Sequence, residues 1–486
     1  MTNRICLVNP KLEGPYPPLG LAYLAAYLRK YGKHEYDIRI LDANCDKNVL
    51  RKILSFKPQI VGFTALSPQI GEVVRMSKNL RQLKPDTYQV IGGVHVSAMP
   101  EMTLKRGGFD VAVLGEGEQT FCEIADTYFS DDFSTYSPEK IKGIGFIGNG
   151  GFVRTEPRSL ISDLDTIPQP ARDLLDMEYY LSHYLLIRGL IGNRIATLHT
   201  SRGCPFKCTF CSSGNVFQTV RQFSPENVVN EINELVTKYR VKFLFFTDDT
   251  FIINKARVKA ICESIIEKNL ADKIRWEVQA RTDLISQDDL ELLRLMKRAG
   301  CVQMDYGFES GCDRILRFLK KRGVSVDTNQ QAIEVTKMAG LHVMGTFMLG
   351  TPGETDSEIE DTQNFVMKNI GKIDYFQTFV TTPYPGTELY EICLEKHLVE
   401  EDYFDQIEKE ENTNAIMVYS DTVSPRKVVD TLTFLNRLAL KKIRARHKVA
   451  WLLHNFLRDP AKTIHSIDSV IREKSVGQEQ VETKIE

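Results

Sequence analysis

The chain has 486 residues, too many for one hydrophobic core, so two or three domains are expected. Hydrophobic residues make up 42% and charged residues 26% of the chain, which is typical of soluble globular proteins. The formal net charge of −2 argues against attraction of the whole protein to nucleic acid, and no nucleic-acid partner is expected.

The amino terminus and the cysteines together indicate a compartment. The chain begins with MTNRICLVNP, which is typical of a strand rather than of a charged leader followed by an apolar run. No uncharged apolar stretch is long enough to span a bilayer. We therefore expect a cytoplasmic protein, whose 10 cysteines stay reduced and act as metal ligands, catalytic groups or core residues.

Residues 1–130 alternate between strand-like and helix-like segments. Five apolar runs are typical of strands buried on both faces, and each is followed by a segment with a helical apolar stripe. The strand segments are RICLVNP, YDIRILDAN, QIVGFTAL, YQVIGGVHV and FDVAVLGEG. This pattern predicts an α/β domain with a five-stranded, doubly wound, Rossmann-like parallel sheet.

Residues 131–193 interrupt this alternation. The segment GIGFIGNGGFV predicts a hairpin that turns at residues 149–151. The next segment, DLDTIPQPARDLLD, carries two prolines and several acids and is typical of a linker that runs over the surface. A hairpin and a linker are therefore expected between two larger domains.

Strand and helix patterns alternate again over residues 194–400. The strand segments are RIATLHTS, FLFFTDDTF, IRWEVQARTDL, VQMDYGFES, HVMGTFMLGTPG and YFQTFVTTPYPG. Six consecutive βα units with polar or glycine-rich strand exits predict a partial (βα)6 barrel of the TIM type. Its functional site should lie at the carboxyl ends of the strands.

The last region, residues 401–486, is mostly helical by pattern. Residues 426–458 contain nine Lys or Arg residues and one Asp. One interpretation is a solvated amphipathic helix pair that caps the barrel, and the other is a surface for anionic lipid or an acidic substrate. The final residues are polar, and we expect this tail to be disordered.

Three cysteines lie within eight residues, directly after the first barrel strand. Cys204, Cys208 and Cys211 belong to the segment RGCPFKCTFC. Three thiolates can hold three irons of a four-iron cluster and leave the fourth iron open for a small molecule. Pro205 bends the loop, and Phe210 limits solvent access. The alternatives are a zinc site completed by a distant His or Cys, or a chance cluster.

This CxxxCxxC motif, with an aromatic residue before its third cysteine, resembles that of the radical S-adenosylmethionine (SAM) superfamily. The resemblance implies a [4Fe-4S] cluster held by Cys204, Cys208 and Cys211, which are then the catalytic and metal-binding residues. It also implies that SAM binds the open iron and is cleaved to a deoxyadenosyl radical. Phe210 is expected beside these cofactors.

Other strand exits match this superfamily position by position. Glu309 in GFESG resembles the acid that meets the polar groups of SAM; its alternative is an exposed strand-end acid. Arg281 in QARTDL resembles an arginine that pairs with the carboxylate of SAM, and its alternative partner is Glu309. Gly350 and Pro352 in MLGTPGET resemble a strand exit that lets backbone approach the adenosine; the alternative, a plain turn, is compatible with this role.

Two adjacent acids end the second barrel strand. Asp248 and Asp249 stand in the segment FTDDTF. The sequence is equally compatible with carboxylates that face SAM or substrate and with caps of the next helix.

The amino-terminal domain resembles the cobalamin-binding domain of one large radical SAM branch. That branch includes C-methyltransferases and the anaerobic magnesium-protoporphyrin ester cyclase. Thr64 and Leu66 match a Ser/Thr-x-Leu element, and Gly92 and Gly93 match a later Gly-Gly element. Small residues there leave room for the nucleotide tail of cobalamin.

The domain departs from the wider cobalamin-binding family at one position. Asn44 stands where a cobalt-binding histidine would be, which argues against a histidine ligand from below. His95 is the nearest substitute, and we interpret it as a scaffold residue. Gly115 and Glu116, in LGEGEQTF, form the fifth strand-to-helix turn and are expected to contact cobalamin.

The resemblance implies an enzyme that abstracts hydrogen from an unactivated carbon, with C-methylation as the favoured reaction. One alternative is a radical oxidative cyclase, or a lipid- or tetrapyrrole-modifying enzyme with the same cofactors. Another is a non-catalytic cobalamin and iron–sulfur sensor or electron carrier. Expected partners are a small-molecule substrate, with a lipid or amphiphile as an option, and an external electron donor such as a flavodoxin or ferredoxin. The carboxyl-terminal basic helices are a candidate for peripheral membrane contact.

Overall fold

The computed structural model describes residues 2–12, 16–130, 137–182, 185–187, 190–192, 194–217, 219–407 and 416–446. The end of the predicted basic helix pair and the expected disordered tail lie outside the described residues. Within these ranges, no helix is both long enough and apolar enough to cross a membrane.

The amino-terminal domain is a seven-stranded sheet in the order β2-β1-β3-β4-β5-β6-β7. The first five strands are parallel, as predicted. The bounds are β1 Asn3–Asn9, β2 Tyr36–Asp42, β3 Ile60–Thr64, β4 Tyr88–Gly92, β5 Val111–Val113, β6 Ile144–Gly148 and β7 Gly151–Arg154.

The sheet is doubly wound because successive strand residues are apolar and face opposite layers of helices. In β1, Ile5 and Leu7 belong to a core shared with the first and last of six helices, whereas Cys6 and Val8 belong to a core shared with the second and third. The helices are α1 Leu19–Tyr31, α2 Val49–Phe56, α3 Ile70–Leu83, α4 Val94–Ala98, α5 Pro100–Arg106 and α6 Glu118–Tyr128.

The predicted hairpin belongs to this sheet and is not part of a separate linker. It consists of β6 and β7, and β6 pairs antiparallel with β5. Because β5 would otherwise expose an unpaired edge, the hairpin completes its hydrogen bonding and extends five strands to seven. The predicted domain boundary at residue 130 therefore cuts through a continuous sheet.

The carboxyl-terminal sheet is a half-barrel of six parallel strands, as predicted, in the order β10-β13-β14-β15-β16-β17. These strands are β10 Ile195–Leu198, β13 Phe243–Phe246, β14 Arg275–Ala280, β15 Cys301–Glu309, β16 His342–Leu349 and β17 Tyr375–Val380. Two short strand pairs precede or flank them: β8 Leu185–Ile187 with β9 Leu190–Gly192, and β11 Ser201–Arg202 with β12 Arg221–Gln222.

Helices cover the outside of the half-barrel and bury one large apolar core. Near its centre, Trp276 stacks on Phe246 with ring centroids 5.2 Å apart and donates its indole N–H to Ala299 O. The helices are α7 Met177–Ser182, α8 Ser213–Val216, α9 Pro225–Thr237, α10 Lys255–Glu267, α11 Leu290–Arg298, α12 Asp313–Lys320, α13 Val326–Met338, α14 Asp356–Lys368, α15 Glu388–Glu395 and α16 Pro425–Arg446.

Helix α16 closes the open edge of the half-barrel. Val428 and Leu435 on this helix are buried in the barrel core. Asn436 accepts a hydrogen bond from Thr378 N and donates one to Thr378 O, so its amide pairs with backbone groups that an edge strand leaves open. The first predicted basic helix therefore caps the barrel.

The linker is held against the barrel by a buried ion pair. Arg172 donates to Glu231 Oε1 at 2.5 Å, and the two side chains are only 3% and 4% exposed. Burial acts to raise the pKa of Glu231, and it outweighs the opposing effect of Arg172. Among the residues that the structure describes, each of these charges therefore has the other as its ion-pair partner.

Replacing Arg172 with methionine should destabilise the protein by about 3 kcal/mol or more, because Glu231 loses its partner while it stays buried. The control is Arg29→Met, which removes an ion pair with Asp173 whose side chains are 42% and 54% exposed. That change should cost less than about 1 kcal/mol. Urea unfolding measures the free energy of unfolding of the two variants. Equal losses of that free energy would contradict the assignment of Arg172 and Glu231 as a stabilising buried pair.

Candidate active site

The three motif cysteines line one cavity of about 510 Å³ at the carboxyl ends of the barrel strands. All three are free thiols. Cys208 Sγ accepts a hydrogen bond from Arg281 Nη1 at 3.2 Å, and Cys211 Sγ accepts one from Ser213 N at 3.5 Å. Burial raises the pKa of Cys204.

Backbone contacts fix the loop that carries these cysteines. Gly203 has φ +88°, and a Cβ there would lie 2.5 Å from Thr219 O, so only glycine fits before the first cysteine. Thr209 donates its N–H to Leu319 O at 2.8 Å and its hydroxyl to Phe318 O. The loop is thus tied to the end of α12 as well as to its own strand.

Arg281 lies beside the cysteine loop, but it does not pair with Glu309. Its guanidinium donates to both carboxylate oxygens of Asp283 at 3.0 Å and lies 3.8 Å from the ring centroid of Phe206. Together with the hydrogen bond to Cys208 Sγ, these contacts use most of the N–H donors of the Arg281 guanidinium. The predicted contact with the carboxylate of SAM stays a prediction.

Glu309 lines the cavity at the end of β15 and pairs with Lys320 at 2.7 Å. The two side chains are 6% and 8% exposed. Glu309 also has φ +57°, a conformation that costs energy for a residue with a Cβ. Lys320 was not singled out in the sequence, because its approach to Glu309 depends on how α12 returns to the strand.

Gly350 and Pro352 are not among the residues that line the two cavities of the site. A Cβ on Gly350 would meet Val418 and Val428 of the carboxyl-terminal region, at 3.2 and 3.4 Å. Its N–H donates to Glu354 Oε2 at 2.7 Å. The positive φ of +77° thus fits the turn interpretation, and Gly350 packs against Val428 of α16.

Asp248 and Asp249 differ in environment although they are adjacent. Asp248 is buried and accepts hydrogen bonds from Thr200 and Ser201, so it fixes the backbone after β10. Asp249 lines the cysteine cavity and accepts from Ser213 Oγ at 2.5 Å. Burial raises the pKa of Asp248, whereas Asp249 is exposed. Neither caps the following helix, whose N-cap is Asn254.

A second cavity of about 300 Å³ lies between the amino-terminal sheet and the barrel. Its lining includes five of the six residues that were predicted to contact cobalamin: Thr64, Gly92, Gly93, Gly115 and Glu116. The sixth, Leu66, is 43% exposed and does not line it. Asp249 lines both cavities, which therefore adjoin at this carboxylate.

Both residues that were considered in relation to a cobalt ligand make contacts that hold the fold together. Asn44 stands at the position of the family's cobalt-binding histidine, and His95 is the nearest substitute. Asn44 accepts a hydrogen bond from Leu12 N and donates to Asp42, so its amide holds the loop after β2. His95 is fully buried, contacts Ser67 Oγ at 3.1 Å, and packs on Tyr403 with ring centroids 5.3 Å apart. Burial lowers the pKa of His95 to about 4. This supports the scaffold interpretation.

A buried ion-pair network joins the two domains beside the smaller cavity. Arg202, two residues before the first cysteine, pairs with Glu116 and Glu118 at 2.9 and 2.5 Å. Arg221 also pairs with Glu116 at 2.8 Å. Although burial acts to raise it, hydrogen bonds from Arg221 and Arg202 hold the pKa of Glu116 below its usual range. Glu116 therefore ties the domains together as well as lining the cavity.

His199 also lines the second cavity and was not singled out in the sequence. Its Nδ1 lies 2.7 Å from Thr247 Oγ1, and that hydroxyl donates to Leu198 O at 3.1 Å. These contacts hold the orientation of the ring. Burial and Arg202 lower the pKa of His199 to about 4, so the ring is neutral. The sequence signal that could have identified His199 was its position two residues before β11, the short strand that leads into the cysteine loop.

The residues of both cavities fit the expected cofactors. Three free thiols on one loop, with N–H donors to two of the sulfurs, fit an iron–sulfur cluster with one open iron. Gly115, with φ +77° and no atom within 4 Å of its Cβ position, leaves space that a side chain would fill in the second cavity. In the described part of the chain, no three His, Cys, Asp or Glu side chains are placed to hold a single metal ion.

Arg281→Met should lower the reduction potential of the cluster, because a positive charge and a hydrogen bond to sulfur stabilise the reduced, more negative cluster. The matched control is Arg281→Lys, which keeps the charge and should shift the potential less. A redox titration followed by electron paramagnetic resonance measures both values. A potential that is unchanged or higher in Arg281→Met would contradict this role.

Comparisons with known proteins agree with this geometry. Residues 198–366 match the family model of the radical SAM superfamily, and residues 5–125 match that of the B12 binding domain. The chain is 35% identical over 410 residues to an uncharacterized methyltransferase of Pyrococcus horikoshii, covering 82% of this chain and 84% of that one. It is 29% identical to an anaerobic magnesium-protoporphyrin IX monomethyl ester cyclase of Cereibacter sphaeroides, over 80% of this chain and 63% of that protein.

A solved structure of the radical SAM methyltransferase TsrM from Kitasatospora setae, with cobalamin and a [4Fe-4S] cluster bound, has a similar fold. Its TM-score is 0.65 at 20% identity, covering 81% of this chain and 75% of that one.

Proposed function

Because the chain belongs to the radical SAM superfamily and carries its B12-binding domain, we propose that it methylates an unactivated carbon of a small molecule. The family match confirms the predicted enzyme class, the α/β fold class, and the [4Fe-4S] cluster, SAM and cobalamin as cofactors. The observation that carries the proposal is Asp249, which lines both cavities. A substrate at this carboxylate lies next to both cofactor sites.

When bound, the cluster and SAM supply a radical that removes hydrogen, and cobalamin supplies a methyl group. In the larger cavity, Cys204, Cys208 and Cys211 would hold the cluster. The buried Glu309–Lys320 pair offers SAM a carboxylate and an ammonium group whose positions are fixed in advance. Such preorganisation lowers the cost of orienting a bound molecule.

In the smaller cavity, the backbone of β3 and β4 would hold cobalamin. Thr64, Gly92 and Gly93 end these neighbouring strands, and Gly93 has φ +107° with its Cβ position 2.6 Å from Ala65 O. A side chain at Gly93 is therefore incompatible with the turn that forms the cavity wall. Glu116, after the neighbouring strand β5, also lines this cavity and is held in place by its ion pairs.

The residues where the cavities meet would orient the substrate. Asp249 presents a carboxylate, and His199 presents a neutral imidazole ring. The carboxylate accepts hydrogen bonds, so a hydroxyl or amino group of the substrate would be oriented here.

Oxidative cyclisation is the second candidate, because the chain resembles the magnesium-protoporphyrin ester cyclase over 80% of its length. The predicted sensor or electron carrier has no such support, since the relatives above are named as enzymes. Methyl transfer and cyclisation differ in how SAM is consumed.

We also propose a cytoplasmic location and an external electron donor, because reductive cleavage of SAM requires one electron. Peripheral membrane contact is a proposal for the outer face of α16, where Phe434 and Leu440 are 45% and 44% exposed next to Arg437 and Lys441.

The test is anaerobic incubation of the reduced protein, loaded with cobalamin, with SAM and an extract of small molecules. Methylation should yield both S-adenosylhomocysteine and deoxyadenosine. Deoxyadenosine alone would argue against methyl transfer and for cyclisation. If neither product exceeds the level that the free cluster forms, the enzymatic function is contradicted.

A further inference from the structure

A basic segment lies beside the cysteine loop on the outside of the barrel. Residues 314–322 read RILRFLKKR and contain five Lys or Arg residues and no acid. The whole chain has a formal net charge of −2, so this concentration of positive charge is local. The proposed function and the cofactor sites leave the exposed cations of this segment without a role.

The segment contacts the cysteine loop directly. Thr209, between Cys208 and Cys211, donates its N–H to Leu319 O at 2.8 Å. Arg281 connects the two by donating to Cys208 Sγ at 3.2 Å and to Arg322 O at 3.0 Å. A protein that binds this segment is therefore placed next to the cluster ligands.

Three cations around the loop are exposed and uncompensated. Lys207, Arg317 and Arg322 are exposed, and no carboxylate lies within ion-pair distance of their side chains in the part of the chain that the structure describes. Their neighbours differ, since Arg314 pairs with Glu358 and Lys321 with Glu388. We call Lys207, Arg317 and Arg322 the basic rim.

The cysteine loop itself reaches the surface beside this rim. Pro205, Lys207 and Cys211 are exposed, whereas Thr209 is buried against α12. An electron carrier docked here approaches the cluster ligands from outside, without entering the cavity that SAM occupies.

We propose that the basic rim docks an acidic electron-carrier protein that reduces the cluster. The inference rests on the proposed function, which needs one electron per cleavage. The carrier loses one electron and the cluster gains one, and no bond or proton moves in this step. Exposed cations on an otherwise slightly acidic protein attract an acidic partner and orient it toward the loop.

The test uses the cluster-loaded protein and an acidic bacterial flavodoxin as the probe. Arg317→Glu and Lys207→Glu should each weaken flavodoxin binding roughly tenfold at low salt, and the loss should shrink as salt rises. The matched control is Lys78→Glu on α3, an equally exposed cation without an acidic partner among the described residues, which should leave binding within roughly twofold.

A second readout separates docking from chemistry. Arg317→Glu should slow reduction of the cluster by flavodoxin, followed by absorbance, but leave its reduction by dithionite unchanged. If Arg317→Glu binds flavodoxin as tightly as the parent does, the docking site is overturned. It is also overturned if Lys78→Glu loses as much flavodoxin affinity as Arg317→Glu. If the dithionite-reduced parent does not cleave SAM, the proposed function fails, whereas the docking result stands by itself.

Discussion

Replacement of Cys208 with alanine should abolish SAM cleavage, with deoxyadenosine falling to the level of the free reductant. Cys208 is the central cysteine of the loop, and its sulfur is the one that Arg281 contacts. Because two remaining thiols leave two irons without protein ligands, the cluster should not assemble. Iron content and deoxyadenosine formation, measured without oxygen, check this result.

The matched control is Cys312→Ala. Cys312 is partly buried like Cys208, but its thiol donates to Glu358 and lies outside both cavities. Its loss should leave iron content and SAM cleavage near the parent values. A Cys208→Ala protein that keeps a full cluster, or that cleaves SAM as the parent does, would contradict the role of the loop.

Gly92→Leu should prevent cobalamin binding without removing the cluster. Gly92 lines the smaller cavity at the end of β4, and a Cβ there would lie 3.7 Å from Val113 Cβ, an ordinary contact. The domain can therefore fold with a side chain at this position, but the cavity loses volume. Affinity for cobalamin should fall roughly tenfold or more, or about 1.4 kcal/mol.

The control is Gly150→Leu at the hairpin turn, where no atom lies within 4 Å of the Cβ position. Cobalamin binding is measured by absorbance titration, and the iron content of each variant reports whether the barrel is intact. If Gly92→Leu binds cobalamin as tightly as Gly150→Leu does, the smaller cavity is not its site.

The sequence predicted features that are local. The cysteine loop is a contiguous motif, and its three thiols line one cavity. The glycines at 92 and 93 were predicted from the resemblance to the cobalamin-binding domain, and parallel pairing of β3 with β4 places them beside Thr64. Strand number and order in the half-barrel followed from alternating apolar patterns, because each βα unit repeats the same burial.

Features that depend on distant segments were missed. Lys320 was not singled out as the partner of Glu309, because the return of α12 brings it to the strand. The packing of α16 against Gly350, more than 70 residues earlier in the chain, was not evident either. The Arg202–Glu116 pair likewise joins residues 86 positions apart. No local pattern encodes such contacts.

The hairpin illustrates the same limit for the fold. Its turn residues were evident in the sequence, and β6 and β7 pair as predicted. Its partner was not evident, because an amphipathic hairpin can pair with any open sheet edge. The structure shows that β5 offers that edge.

The most direct test of the account is the metal content of the protein purified without oxygen from cells supplied with cobalamin. The protein has two adjoining cofactor sites, one built on three thiols and one on the glycines of the amino-terminal sheet. We therefore expect about four iron atoms and one cobalt per chain. Zinc in place of iron, or iron without cobalt under saturating cobalamin, would contradict it.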